Sequence, residues 1–155
     1  MITNIYKYPQ LKRTDKDAGR YYIDSNDSPV PSVTTVLSNT SNKKHSIEKW
    51  RRRVGEEEAN RITKKSTDIG SMVHEALELF LNGMDWDDFS DDQNGLIAKK
   101  ITTKFINTGI KSITEVWGLE VGLILEGLYA GTADCVGKIN DVPSIIDFKT
   151  SRKMK

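Results

Sequence analysis

Cysteine, long apolar runs and net charge are what this chain has least of, and each shortage narrows what it can be. One cysteine, Cys135, stands among 155 residues. A single thiol cannot close an intrachain disulfide, nor supply the set of thiolates that a zinc or iron–sulfur site needs. The fold must therefore stand on packing. No apolar run approaches the roughly 20 residues of a membrane-spanning helix, so no membrane association is expected. The leading MITNIYKYPQLKR has neither the apolar core of a secretion signal nor the Arg/Ser-rich amphipathic character of a transit peptide. A cytoplasmic site in a phage or bacterial host is expected ahead of a mitochondrial one. Formal net charge is +1, which excludes a globally basic coat for nucleic acid. The basic residues are nevertheless clustered, as KWRRR at 49–53, RITKK at 61–65 and SRKMK at 151–155, and local basic patches stay open.

With 37% hydrophobic and 29% charged residues, residues 1–155 fit a single domain that buries about two thirds of its unfolded surface. An irregular lead is followed by helices and then strands, an order that suggests α+β or a mixed α/β sandwich, and α/β is the class expected. RYYID at 20–24 reads as a short strand. PSVTTVL at 31–37 reads equally as a β-branched strand or as a helix capped by Ser32. Over 46–65, Ile47, Trp50, Val54 and Ile62 recur near helical spacing, with Trp50 expected in the core and Gly55 weakening the middle. Over 68–82, Ile69, Met72, Val73, Ala76, Leu77 and Phe80 form one stripe, Asp68 can cap the start and Asn82-Gly83 the stop. Ser90 and Gln93 have capping-box spacing before Ile97, Ile101 and Phe105. From residue 114 the period changes to that of strands, 114–125, 128–139 and 142–149, turning at Glu126-Gly127 and Asn140-Asp141. An antiparallel meander of three strands is expected.

A two-residue turn at Asn140-Asp141 pairs 139 with 142, 136 with 145 and 134 with 147. Asp134 and Asp147 then lie opposite each other, and Lys149, two residues on, projects to the same side. Two carboxylates about 5 Å apart repel by roughly 3 kcal/mol at an effective dielectric near 20. A hard divalent cation compensates that repulsion, and Lys149 beside it can orient a water or stabilise charge on a phosphate. The alternative is a solvated sheet face on which Lys149 merely neutralises one carboxylate. A slip of one residue in register removes the argument.

The stretch from Gly131 to Asp134, followed by Asp147-Phe-Lys149-Thr150, resembles the core of the PD-(D/E)XK nucleases in their RecB-like form. Gly70-Ser-Met-Val-His74 resembles the first-helix G-x-x-x-H motif of that form. Pro31-Ser-Val-Thr-Thr-Val-Leu37 resembles the signature of the mitochondrial genome maintenance exonucleases and their phage relatives. The resemblance implies a restriction-endonuclease-like core and an exonuclease acting on single-stranded DNA with Mg²⁺ or Mn²⁺. It implies Asp134 and Asp147 as metal ligands, His74 as a further ligand and Lys149 as the water-positioning cation. Glu120 matches an acidic residue of the family's first meander strand, but simple alternation turns it away from Asp134 unless Gly122 or Gly131 allows a bulge.

The resemblance also favours the helical reading of 31–37. Ser32 and Thr34 can then hold a phosphate at the helix start, and Thr150 adds a hydroxyl near the site. Arg51, Arg52, Arg53, Lys64 and Lys65 are either a solvated face or contacts to a DNA backbone. The family pattern continues beyond the D-x-K strand with a helix and a further strand, so a truncated core, or a second chain supplying those elements, is expected. Two other functions compete: a nucleic-acid-binding module with an incomplete site, and an endonuclease of the same fold.

Overall fold

The computed structural model describes residues 2–3 and 5–151. The terminal basic run SRKMK therefore lies, Ser151 apart, outside the described residues. Among those described, the order is β1 (Lys12–Lys16), β2 (Gly19–Ile23), β3 (Pro29–Pro31), α1 (Val33–Thr40), α2 (Lys43–Val54), α3 (Glu56–Leu81), α4 (Gln93–Thr108), a 3₁₀ turn (Ile110–Ser112), β4 (Ile113–Leu125), β5 (Tyr129–Ile139) and β6 (Val142–Ile146). The residues gather into two compact units, one of residues 7–59 with 121–133, the other of 1–6 with 60–120 and 134–155.

In the first unit, β1, β2 and β3 make an antiparallel sheet in that order. β2 is the expected strand. β1 and β3 correct the expectation of an irregular lead: KRTDK exposes four of its five residues and β3 is three residues long, so neither carries an apolar alternation to read. The two readings of 31–37 are both realised, because Pro31 closes β3 and Ser32 caps α1. The Ser32 hydroxyl accepts from the Thr35 N–H at 3.0 Å, and the Thr35 hydroxyl donates to the Arg20 carbonyl at 2.9 Å, which ties the helix start to the strand. Gly55, at φ +87°, divides the expected 46–65 helix into α2 and α3. No residue of α2 is buried, and Trp50 is half-buried rather than core.

In the second unit, α3 runs through the expected start at Asp68, which pairs with Lys64 at 2.8 Å instead of capping. The cap of α4 is Asp92, whose side chain accepts from the Gly95 N–H at 2.8 Å; Ser90 supports it by donating to the same carboxylate oxygen. The core joins Ile69, Val73 and Leu77 of α3 and Ala98 of α4 to Val116, Cys135, Ile146 and Phe148. Each large apolar side chain buried there contributes about 1.5–3 kcal/mol. β4, β5 and β6 follow in that order as one sheet. Asn140 and Asp141, at φ +48° and +66°, make the two-residue turn, and pairs run from Ile139↔Val142 to Cys135↔Ile146. The connection before β5 is three residues, 126–128, with Gly127 at φ +72°. Gly137 has a packing reason: a Cβ there would meet the Glu115 carbonyl oxygen at 2.1 Å. No helix among the described residues is long and apolar enough to cross a membrane.

Cys135 is fully buried, and burial pushes its thiol up to about 11. It is expected to resist a disulfide reagent at pH 8 in the native protein and to react with one equivalent in denaturant. Its protonated form is the one the fold tolerates, so this contribution to stability holds below the ordinary thiol range and fades as pH rises toward 11. Rapid native labelling would show that the core around Cys135 opens.

Candidate metal centre

His74 sits on α3 beside the apolar stripe that packs into the core, which leaves its ring half-buried. Its Nε2 lies 2.6 Å from the Phe148 carbonyl oxygen. A carbonyl only accepts, so Nε2 carries a proton, and in the neutral ring Nδ1 presents its lone pair. That Nδ1 is 3.6 Å from Asp134 Oδ2. The same Asp134 oxygen accepts from the Phe148 N–H at 2.7 Å.

Glu120 completes the group. Its φ of +49° is uncommon for a residue with a Cβ and resets the alternation of β4 as a bulge does. One ligand atom each from His74, Glu120 and Asp134 then lie within 4.8 Å of one another. This corrects the simple alternation, which turns Glu120 away. The glycines offered as bulge points serve packing: a Cβ on Gly122 would meet the Pro9 carbonyl at 2.6 Å, and one on Gly131 would meet Val33 at 3.3 Å.

The electrostatics suit a cation. Burial raises the Glu120 carboxyl above its ordinary value, the neighbouring Asp134 and Glu78 carboxylates raise it further, and His74 opposes them. Glu78, one helical turn beyond His74, is a contributor the sequence reading missed, although its spacing from His74 was the available signal. Two carboxylate oxygens and one imidazole nitrogen are a donor set that fits a divalent cation.

Asp147 and Lys149 behave differently from expectation. The register is the one expected, but the ladder ends at Cys135↔Ile146, one pair before Asp134 would face Asp147. Alternation holds only inside a ladder, so residues 147–150 are not bound by it. Asp147 is exposed, stays outside the His74–Glu120–Asp134 group, and accepts from Lys149 Nζ at 2.9 Å. Residues 147–150 wall a groove of about 450 Å³ together with Ile101 and Phe105 of α4. Thr150 is there too, its hydroxyl 3.5 Å from where a Gly70 Cβ would stand.

The other sequence candidates are placed as follows. Ser32 is buried and its hydroxyl is engaged with Thr35, whereas Thr34 is exposed. Arg51 pairs with Glu56, and Lys64 with Asp68. Arg52 and Arg53 are exposed, Lys65 is half-buried, and none of the three makes an ion pair among the described residues.

No family model matches the chain. In an alignment of 133 positions that covers 81% of the chain, it is 31% identical to mitochondrial genome maintenance exonuclease 1 of Homo sapiens. The aligned part spans 38% of that relative. This likeness points to a relationship with a nuclease.

In metal-free buffer, Glu120→Gln is expected to raise the melting temperature at pH 7. The raised Glu120 pKa means that its contribution is full below the ordinary carboxylate range and is lost as pH climbs through the folded value. The variant should therefore show a flatter melting temperature between pH 4 and pH 7 than the wild type. Equal slopes would show that Glu120 feels no repulsion.

Proposed function

We propose that this chain is the catalytic part of a metal-dependent exonuclease that hydrolyses single-stranded DNA, built on a RecB-like PD-(D/E)XK core. The observation that carries the reading is the His74–Glu120–Asp134 group, formed by the G-x-x-x-H helix and the first two meander strands. The likeness to a human exonuclease supports it.

His74 Nδ1 and the carboxylates of Glu120 and Asp134 would hold Mg²⁺ or Mn²⁺, and Asp147 is the acidic group that would join them. A divalent cation there supplies Lewis acidity to the scissile phosphate and makes water a better nucleophile at neutral pH. Lys149 stabilises negative charge on the phosphate or orients the attacking water, and Asp147 holds its ammonium in place at 2.9 Å. Arg52, Arg53 and Lys65 offer charge to the DNA backbone. Arg51 and Lys64 can exchange their partners for phosphate, because exposed pairs are worth about 0–1 kcal/mol. Thr34 and Thr150 add hydroxyl donors, and Ser32 holds the helix start from which Thr34 projects.

The separation of Asp147 from the three-residue group favours one second reading, a module that binds single strands without cutting them. End-labelled single-stranded DNA with Mg²⁺ or Mn²⁺ separates the two. Stepwise loss of label is expected, abolished by EDTA and reduced at least about 100-fold by Asp134→Ala or Lys149→Ala, the scale of losing one electrostatic stabiliser. Closed single-stranded circles should survive. Cleavage that persists in Asp134→Ala would overturn the proposal, retention of intact DNA by the wild type would establish the binding module, and cut circles would mark an endonuclease.

A further inference from the structure

Phe148 has no chemistry of its own, yet each of its parts is held. Its N–H donates to Asp134 Oδ2 at 2.7 Å. Its carbonyl accepts from His74 Nε2 at 2.6 Å. Its ring is buried, edge-to-face with Phe105 at 5.7 Å and with His74 at 6.2 Å. Two of the three residues in the metal group thus each commit an atom to the backbone of this one residue. β6 has ended at Ile146, so no ladder bond orders the segment that carries Asp147 and Lys149.

We propose that Phe148 is a positioning residue of the site. Its buried ring fixes its backbone, its carbonyl keeps a proton of His74 on Nε2, and Nδ1 is thereby aimed at Asp134 and Glu120 with its lone pair free in the neutral ring. Asp147 and Lys149 flank this anchor in the chain and meet at 2.9 Å, so their placement is set by the packing of residue 148 and not by strand alternation. The consequence for catalysis rests on the nuclease reading. The consequence for His74 rests on the geometry alone.

The test compares Phe148→Leu, which keeps an apolar side chain but loses both ring contacts, with Ile146→Val, a buried neighbour in the same core. Three quantities are measured on each: the ¹⁵N shifts of His74 without metal, Mn²⁺ affinity by calorimetry, and kcat and KM on single-stranded DNA. The wild type is expected to show a single Nε2–H tautomer. Phe148→Leu is expected to mix the tautomers, weaken Mn²⁺ about tenfold, as loss of outer support to a metal ligand does, and lower kcat at least about tenfold with KM within about twofold. Ile146→Val should leave tautomer and affinity unchanged. Phe105→Leu, which removes one ring contact from α4, should move all three in the same direction as Phe148→Leu and supplies the result if that variant does not fold. A wild-type His74 protonated on Nδ1, or Phe148→Leu with wild-type tautomer and affinity, would overturn the proposal. An inactive wild type with the tautomer result intact counts against the nuclease reading and leaves the anchor standing.

Discussion

The turn at Asn140-Asp141 is the constraint on which the rest of the site depends. Both residues take positive φ, the geometry whose twist matches a two-residue hairpin, and Asn and Asp are among the few side chains that tolerate it. With that turn in place the register of β5 against β6 follows, from Ile139↔Val142 to Cys135↔Ile146. The register in turn delivers Phe148 to Asp134, and through Asp134 and His74 it joins the end of the meander to α3. A turn one residue longer would send Ile146 and Phe148 out of the core and the carboxylates to new neighbours.

The site is organised by two electrostatic situations of different kind. Around Glu120, itself exposed, the half-buried Asp134 carboxylate and His74 imidazole gather, and the repulsion between the carboxylates is left for an ion to relieve. At Asp147 and Lys149 the opposite charges have already satisfied each other in the open, at 56% and 78% side-chain exposure. Solvent screens the second pair strongly and the half-buried Asp134 and His74 less, which makes the second pair the easier to rearrange.

Much of the fold was readable because its signals are local. The stripe from Ile69 to Leu77, the cap region at 90–93 and the hairpin at 140–141 each act within a few residues, although the cap proves to be Asp92 and not Ser90. The misreadings have equally physical causes. β1 is a charged strand stabilised by its partner rather than by an apolar face. Asp68 has the right type for a cap, but α3 is already helical before it, so its side chain turns to Lys64. In the site, His74 and Asp134 were legible as candidates and do meet. Glu120 was legible as an acid but not as a neighbour, because its inclusion depends on a left-handed residue where no glycine announces one.

Sequence by itself determined that helices precede a three-strand meander, and it determined the turn at 140–141 and the register of β5 with β6, since each follows from side-chain period and from the few residues able to adopt positive φ. It also determined which acids, which histidine and which lysine were available. Only the tertiary structure decided who meets whom: Glu120 joined the group, Asp147 stayed outside it with Lys149, and Phe148 became the piece that His74 and Asp134 both hold. These outcomes depend on where a ladder stops and how a ring packs between a helix and a strand, and such contacts join residues far apart in the chain that no local pattern connects.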